Sequence, residues 1–439
     1  MCPGVLVMKR FLYILPLLIA AAVLPSCMEK AVEEEPVQLS VDIYESDLSL
    51  VQGDTYQLTL VVEPSDAEYF SVEWTSLNPE IVSVTQEGMV TAENTGEALI
   101  KVTVDGVSAT SIVTVGQSPL KSVGFAESEY EVALGETVVT GIVFEPSSAD
   151  TSGTVWTSSD SSVVMPVGPG EFKGLSIGES FVTVNIAGKT ANCKIRVVQG
   201  PIKPGDFLFD DGSVCSSLLP GKYPVAVVFY AGDPTADDAA LKAEHPKCTH
   251  GLAVSISEDL TSAWQPSYSA YGKTVGDWCD DNSDYDSPLT GTGAGAPLNR
   301  ICGYNNTMAL LDFNSDLANR GWKVTAAVEY CYYIIENGWS LPEGTSGWYI
   351  PSAKEMSLLV RGVHDGNIWD IQDDSSPNLD VVNASIGKIR PDCVIAGGSY
   401  WTSSEYDESY AYFVNVSGGR ASIAPKNFEN GLLRFIVAF

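Results

Sequence analysis

The chain has 439 residues and a formal net charge of -32 at pH 7, and 45% of its residues are hydrophobic while 18% are charged. A surface this acidic repels phosphate backbones and anionic lipid headgroups, which argues against nucleic-acid binding and against electrostatic attachment to a membrane. The hydrophobic content indicates a folded protein rather than an acidic disordered one, and the length requires several domains. Calcium ions and cationic partners remain compatible with this charge.

The N-terminus has the features of a secretion signal. Lys9 and Arg10 precede an apolar run from Phe11 to Val23, which is too short to be a permanent membrane span. The run ends in Leu24-Pro25-Ser26-Cys27, which resembles the lipobox of bacterial lipoproteins. The resemblance implies that the Cys27 thiol is acylated; the alternative is ordinary signal cleavage that leaves Cys27 as a free thiol.

These features predict a lipoprotein signal peptide over residues 1–26 and a polar tether over residues 27–36. We expect the protein to be exported, lipid-anchored to the outer membrane through Cys27, and exposed at the cell surface. The lipid would be its membrane attachment.

Two copies of one unit follow the tether, because the sequence matches itself at an offset of 82 residues without a gap. The aligned pairs are Gly53 with Gly135, Pro64 with Pro146, Ala67 with Ala149, Trp74 with Trp156, Gly88 with Gly170, Gly96 with Gly178 and Gly106 with Gly188. The match predicts repeat 1 over residues 37–116 and repeat 2 over residues 117–200.

Each repeat has the pattern of an all-β sandwich. Short alternating segments such as Tyr56–Val62 and Leu99–Val104 are separated by Gly, Pro and Asn turns. Three segments of repeat 1 resemble the bacterial Ig-like group 2 (BIG2) domain of intimins and other surface adhesins: Glu63-Pro64-Ser65-Asp66-Ala67, Glu73-Trp74-Thr75-Ser76 and Gly88-Met89-Val90-Thr91-Ala92. The resemblance implies two Ig-like sandwiches that act as spacers or as an adhesive stalk. Trp74 and Trp156 are expected to fill the two cores.

Residues 201–439 begin at a Pro/Gly linker and are predicted to form one α+β domain. Its predicted strands are a buried strand at Val225–Tyr230, an alternating strand at Tyr410–Val416 that is followed by a turn at Gly418-Gly419, and a closing strand at Leu432–Phe439. One predicted helix covers Thr325–Asn337 and places Val328, Cys331, Tyr332 and Ile335 along one face. A second helix begins with a Ser352/Glu355 capping box.

Three segments of this domain, Gly347–Met356, Tyr400–Glu405 and Leu433–Phe439, resemble in this order the DUF1566 (Lcl C-terminal) family. That family is similar to the C-type-lectin fold, so the resemblance implies a C-type-lectin-like recognition domain whose irregular loops form the ligand face. The Glu-Pro-Asn and Trp-Asn-Asp tripeptides of calcium-dependent sugar-binding lectins are absent from the sequence. The resemblance therefore does not identify the ligand.

Polar and aromatic residues after the Tyr400–Glu405 segment are the candidate ligand-binding residues, because loops from the last third of this fold form its ligand face. They are Tyr406, Asp407, Glu408, Arg420, Lys426, Asn427 and Glu429. An ordinary polar loop is the alternative interpretation.

An acidic segment offers a possible calcium site. Asp280, Asn282, Asp284 and Asp286 place oxygen ligands at alternate positions, but the turn glycine and the later glutamate of an EF-hand are missing. A solvated acidic loop is the favoured alternative. No other cofactor is expected.

Cysteine and histidine give two weaker signals. His245, Cys248 and His250 lie close together in the sequence, and histidine and cysteine side chains bind zinc or act as nucleophiles. A turn between Pro246 and Gly251 is the better explanation of this segment. The domain also contains six cysteines, an even number that permits three disulfides in an exported protein: Cys215, Cys248, Cys279, Cys302, Cys331 and Cys393. Cys193 in repeat 2 is expected to be a buried free thiol.

The domain order favours a surface adhesin, in which two spacers present a lectin-like domain to a glycan or a protein of another cell or matrix. A structural or tip subunit of a pilus, whose partners are other subunits, is the first alternative. An enzyme of formylglycine-generating type, or a metal hydrolase, is the second, although the motifs of formylglycine-generating enzymes are absent. We therefore expect no catalytic activity and no nucleic-acid partner.

Overall fold

A computed structural model describes five stretches of the chain, residues 38–147, 149–290, 296–337, 340–363 and 366–439. The predicted signal peptide, the Cys27 lipidation site and the tether lie outside the described residues. The chain divides into two units, one that ends at Ser118 and one from Pro119 to Phe439, and each is described by itself.

Repeat 1 consists of nine strands in its described part. They are β1 (Ser40–Ile43), β2 (Asp47–Val51), β3 (Thr55–Gln57), β4 (Leu60–Glu63), β5 (Val72–Ser76), β6 (Val82–Val84), β7 (Met89–Ala92), β8 (Gly96–Val104) and β9 (Val107–Gly116). A four-stranded sheet has the order β2-β9-β8-β5, a three-stranded sheet has the order β3-β7-β6, and β1 pairs with β4. The sheets face each other across a core that contains Trp74, which is 4% exposed.

The predicted single strand over Tyr56–Val62 is wrong in one respect, because β3 and β4 belong to different sheets. Between them the Leu58 N–H donates to the Gly88 carbonyl (3.0 Å), and Leu58 turns into the core with 2% exposure. Burial does not follow the alternation of the sequence, since the residues of β3 are exposed and Leu60, Val61 and Val62 of β4 are all half-buried.

Repeat 2 has the same strands in the same order. They are β10 (Ser122–Phe125), β11 (Glu129–Ala133), β12 (Thr137–Val139), β13 (Ile142–Glu145), β14 (Val155–Ser158), β15 (Val164–Gly168), β16 (Glu171–Gly174), β17 (Gly178–Ile186) and β18 (Lys189–Val198). Their sheets have the orders β11-β18-β17-β14, β12-β16-β15 and β10-β13. The register is also repeated, since Trp74 faces Val102 and Trp156 faces Val184.

Repeat 2 packs directly on the C-terminal domain. Buried side chains of both, including Leu134 and Cys215, belong to one hydrophobic cluster. The Gln199 side-chain amide donates to the Val214 carbonyl (2.8 Å), and the Ser216 hydroxyl donates to Glu136 (3.2 Å). The two parts therefore stabilise each other.

The described part of the C-terminal domain contains two five-stranded sheets. Its strands are β19 (Phe207–Phe209), β20 (Val214–Cys215), β21 (Pro224–Ala231), β22 (Gly251–Ser255), β23 (Leu260–Ser262), β24 (Ser399–Glu405), β25 (Tyr410–Asn415), β26 (Ala421–Pro425), β27 (Gly431–Leu433) and β28 (Ile436–Ala438). One sheet has the order β20-β19-β21-β22-β28 and the other the order β23-β27-β24-β25-β26. The predicted closing strand is thus two strands in two sheets, divided at Arg434.

Seven α-helices of the described part surround these sheets. They are α1 (Ala239–Glu244), α2 (Tyr268–Tyr271), α3 (Val275–Asn282), α4 (Gly303–Ser315), α5 (Thr325–Asn337), α6 (Ala353–Arg361) and α7 (Pro377–Ile386). The predicted capping box is present at α6, because Ser352 accepts from the Glu355 N–H and Glu355 accepts from the Ser352 N–H. The α+β class of the domain is as expected.

Helix α5 has the predicted bounds, but the face that it buries is not the predicted one. Tyr330 and Tyr333 pack against Phe435 with ring centroids 5.7 and 4.8 Å away, while Tyr332 is 55% and Ile335 79% exposed. The helix carries apolar or aromatic residues around most of its circumference, so periodicity alone cannot select the buried face. No helix among the described residues has the length and apolarity needed to cross a membrane.

Candidate functional site

The three segments that carry the DUF1566 resemblance meet in the core of the C-terminal domain. Tyr349 of the first segment exchanges two backbone hydrogen bonds with Ile436 of the third (2.9 and 3.0 Å). The Ser403 N–H of the second segment donates to the Pro351 carbonyl of the first (2.9 Å). These segments therefore hold the fold together and do not themselves form a ligand face.

Two tryptophans fix this centre by reciprocal hydrogen bonds. The Trp401 indole N–H donates to the Ser262 carbonyl, and the Trp264 indole N–H donates to the Thr402 carbonyl, each at 2.9 Å. Trp401 is 1% exposed and Trp264 is fully buried. Both rings satisfy their polar atom inside the core, as large buried aromatic side chains require.

Lys426, a predicted ligand-binding residue, lies in the core, so this prediction is wrong. Its ammonium pairs with Glu405 and lies 5.1 Å from the centroid of the Trp264 ring, and both charged side chains are fully buried. Glu405 also accepts from the N–H groups of Val275 and Gly276, each at 2.8 Å. Burial raises the pKa of Glu405, and Lys426 with the two N–H groups partly offsets that rise. A lysine in a polar loop is usually solvated. Lys426 is buried instead because its partner, the Glu405 carboxylate, is itself buried.

A second buried cation stabilises the same region. Arg434 contacts the carbonyls of Ser257 and Cys393, and it donates to Asp259 at 3.0 Å. Asp259 also accepts from the Tyr400 hydroxyl (2.6 Å). Burial raises the pKa of Asp259, against the opposing effect of Arg434.

The other predicted ligand residues lie at or near the surface. Tyr406 and Asp407 are half-buried, and exposed positions hold Glu408, Arg420, Asn427 and Glu429. Asp407 stabilises the turn that follows it, since its carboxylate accepts hydrogen bonds from the N–H groups of Ser409 (2.7 Å) and Tyr410 (2.8 Å).

Arg420 differs from these residues because it lines a polar groove of about 260 Å³. The other lining residues are Ile371, Gln372, Asp373, Asp374, Asn415, Ser417 and Ser422. Within the described part of the chain, the Arg420 guanidinium has no hydrogen-bond or ion-pair partner. The groove thus presents one uncommitted cation among carboxylate, amide and hydroxyl groups.

An ion pair, here called the Arg361–Asp373 clamp, holds Asp373, which lines this groove. Arg361 at the end of α6 makes two parallel hydrogen bonds to Asp373 (2.7 and 2.9 Å) and donates to the Gly418 carbonyl (3.1 Å). Arg361 holds the pKa of Asp373 well below its usual range. Gly418 has a φ of 85°, and a Cβ there would lie 2.3 Å from the Asp373 carbonyl, so the predicted turn also requires its glycine for close packing.

Aromatic side chains lie beside the groove. Trp369 stacks on Tyr406 with ring centroids 6.5 Å apart and planes at 10°, and Tyr406 packs edge-on against Tyr410 and Tyr412. Trp369 and the groove residues at 371–374 belong to one short segment. Sequence reasoning missed this segment, although its run of Gln, Asp and Ser residues next to a tryptophan was a signal that could have identified it.

The predicted calcium ligands do not come together. Asp280 and Asn282 lie in helix α3, where positions two apart point to different sides, while Asp284 and Asp286 follow the helix and are exposed. Among the described residues, no group of three or more His, Cys, Asp or Glu side chains could hold a metal ion. The alternating acids thus span the end of helix α3 and the loop that follows it.

The histidine and cysteine cluster is also dispersed. His245 contacts the Tyr304 hydroxyl (3.0 Å), the Cys248 thiol donates to the Gly344 carbonyl (3.3 Å), and His250 is exposed.

The predicted disulfides are not formed, because all seven cysteines in the described part are free: Cys193, Cys215, Cys248, Cys279, Cys302, Cys331 and Cys393. Five of them are buried, Cys302 is half-buried and Cys331 is exposed. Cys193 is the buried free thiol that was expected.

Comparisons with known proteins match parts of this architecture. The family model of the bacterial Ig-like domain (group 2) matches residues 39–115. The protein named "Putative fimbrium tip subunit Fim1C" from Bacteroides ovatus is 27% identical over 265 residues, which are 54% of this chain and 46% of that protein. An uncharacterized protein of Clostridium acetobutylicum is 28% identical over 149 residues, 34% of this chain and 15% of that protein.

Among solved structures, a fimbrial protein from Bacteroides ovatus is 17% identical with a TM-score of 0.45, over 81% of this chain and 76% of that one. The chain spans less than half the length of the curated relatives it matches. Residues 39–115 therefore match the bacterial Ig-like domain (group 2), and 54% of the chain is similar to a protein named as a putative fimbrium tip subunit.

Proposed function

We propose that this chain is a fimbrial subunit, exported to the cell surface, whose C-terminal domain binds a glycan or a polar protein loop in the groove at Arg420. The similarity to a fimbrium tip subunit supports the fimbrial part of the proposal. A C-type-lectin-like fold of the C-terminal domain and a lipid anchor at Cys27 belong to the same proposal.

Arg420 is the observation that carries the binding function. Its guanidinium lines a groove, has no partner among the described residues, and faces donors and acceptors such as Asn415 and Ser422. A ligand rich in hydroxyl groups would satisfy such a mixture, and the stacked Trp369 and Tyr406 rings offer apolar faces nearby. The Arg361–Asp373 clamp reduces the ordering cost of binding because it fixes one wall in advance.

Burial of the thiols supports a binding function over a catalytic one. It raises the pKa of Cys248 to about 11 and that of Cys279 to about 12, so both are protonated at neutral pH. A cysteine nucleophile requires the thiolate, and an electropositive and partly exposed setting that would favour it is missing at these two residues.

A glycan array and a panel of matrix proteins test the proposal with the full chain. We expect at least one ligand whose Kd rises tenfold or more in Arg420→Ala, because one charge-assisted bond is worth about 1.5–3 kcal/mol. Arg320→Ala is the matched control, since Arg320 is another exposed arginine outside the groove. If both panels stay silent, or if both variants bind alike, the groove is not a ligand site.

A structural pilus subunit is the second candidate, and the similarity to fimbrial proteins favours it equally. Assembly assays separate the two roles. A subunit with Arg420→Ala should enter fimbriae normally while it loses the external ligand, whereas loss of assembly would assign the groove to a subunit contact. The lipid anchor is tested by labelling with a fatty-acid analogue, which Cys27→Ala should abolish.

A further inference from the structure

Repeat 2 has an open groove of about 820 Å³ along one side of its sandwich. It lies between strands β14 and β15, and its apolar lining includes Ile142, Phe144, Trp156, Pro166 and Pro169. Trp156 packs on the core, edge-on against Phe125 and Phe172, but it stays half-buried. A groove of this size falls within the range of about 300–1,000 Å³ that is typical of ligand pockets.

Repeat 1 shows what fills the same place in an otherwise equivalent sandwich. There the Trp74 N–H donates to the Gln86 side-chain oxygen (3.3 Å), and the Gln86 side-chain amide donates to the Trp74 carbonyl (3.1 Å). The Gln86 side chain thus makes the pair of bonds that a neighbouring strand would make. It covers the edge of β5, and Trp74 is only 4% exposed.

Repeat 2 lacks this covering group. The residue 82 positions after Gln86 is Gly168, which has no side chain, and the next is Pro169, which has no N–H. Strand β14 is the outer strand of its sheet, and Trp156 has the same register toward β17 that Trp74 has toward β8. The Trp156 N–H and carbonyl therefore point to the open edge, where they meet no hydrogen-bond partner among the described residues of the repeat.

We propose that this groove, here called the β14 groove, binds an extended polypeptide segment of another protein. The segment adds a strand to β14, exchanges two hydrogen bonds with the Trp156 backbone, and inserts an apolar side chain between Phe144 and Pro166. A strand is the one class of occupant that satisfies both the unpaired backbone and the apolar walls. A glycan or a lipid would leave either the unpaired backbone groups or the apolar walls without matching contacts.

The charge of the site specifies the partner further. The Glu171 carboxylate borders Gly168, since its oxygen lies 2.8 Å from the position of a Cβ there, and the whole chain carries a net charge of -32. A segment with alternating apolar residues and a flanking Lys or Arg is therefore favoured.

A displayed library of random decapeptides is the probe, selected against the full chain. We expect enriched sequences with apolar residues at alternate positions and at least one basic flank. Gly168→Gln, which restores the covering side chain of repeat 1, should weaken the selected peptides at least tenfold. Gly168 does not have a positive φ, and the flexible Glu171 side chain can move aside, so the substitution fits the backbone. Gly168→Ala adds a Cβ without an amide and should keep most of the binding.

Hydrogen exchange at the Trp156 amide, followed by NMR of protein labelled with [15N]Trp and assigned with Trp156→Phe, gives an independent measurement. The free Trp156 amide should exchange faster than that of Trp74, and a bound peptide should slow it at least tenfold. Failure to enrich any peptide, or peptides that leave Trp156 exchange unchanged, would overturn the proposal. Arg420→Ala should leave peptide binding intact, so this proposal and the ligand groove of the C-terminal domain can fail separately.

Discussion

Lys426 and Arg420 are two cations at opposite ends of strand β26, and their surroundings are opposite as well. Lys426 is fully buried and paired with Glu405, whereas Arg420 is exposed and lines a polar groove without a partner among the described residues. Both residues look alike in the sequence, because each stands in a polar segment after the Tyr400–Glu405 motif. The comparison teaches that the partner decides the role of a charged residue, and the partner of Lys426 comes from a strand 21 positions earlier.

The largest effect is expected from Lys426→Met, which removes the cation and leaves Glu405 buried without its counter-ion. Breaking a buried ion pair in this way costs about 3–5 kcal/mol of the free energy of unfolding. Calorimetric melting of the full chain should show the transition of the C-terminal domain at a clearly lower temperature. The double variant Glu405→Gln/Lys426→Met is the control, and it should recover most of the loss because no buried charge remains. Equal stability of Lys426→Met and the native protein would show that the pair is solvated.

A second test uses pH at a buried acid without a counter-ion. Burial raises the pKa of Glu355 from 4.5 to about 7, and its hydrogen bonds to Ser352 oppose that rise. Near pH 5–6 the folded protein therefore binds a proton at Glu355 that the unfolded chain has released. The contribution of this bound proton to the free energy of unfolding is fully present below pH 4.5 and is lost as the pH rises through about 7.

Glu355→Gln lacks this titration and should gain stability relative to the native protein across that window. We expect the difference in the free energy of unfolding between the two proteins to change by about 2–4 kcal/mol between pH 4.5 and 8. Urea unfolding at several pH values measures it. A difference that stays constant with pH would mean that the pKa of Glu355 is the same in the folded and unfolded states.

The sequence predicted most elements that depend on local rules. The repeat offset located both sandwiches, the Ser352/Glu355 pattern located the start of α6, and Gly418-Gly419 located a turn. These features depend on neighbours within a few residues or on an internal copy of the same pattern.

The misses concern contacts between distant segments. The buried location of Lys426, the exposed face of α5 at Ile335, and the free cysteines all depend on which elements pack together. The Arg420 groove also combines the segment at 371–374 with residues of the β25–β26 hairpin, so half of its lining had no signal of its own. Pattern arguments cannot supply such pairings.

A smaller effect is expected at the two helix starts that begin with serine. Ser352 caps α6 through its side chain, whereas Ser376 precedes α7 without a side-chain cap bond. Ser352→Ala should lower the free energy of unfolding by about 0.5–2 kcal/mol, and Ser376→Ala should change it little. Denaturant titration compares the two variants, and similar losses would mean that the cap bond at α6 contributes nothing.

The smallest change in stability is expected for Arg420→Ala, which completes the comparison with Lys426. An exposed side chain without a partner contributes little to folding, so the melting temperature should shift by less than about 2 °C. Thermal melting of Arg420→Ala next to Lys426→Met, in one buffer, measures this directly. Arg420→Lys keeps the charge but loses the planar fork of donors, so it should be equally stable yet bind a groove ligand more weakly than the native protein. A fall in melting temperature for Arg420→Ala as large as that for Lys426→Met would show that Arg420 is a structural residue. The Arg420 guanidinium would then no longer support a ligand site in the groove.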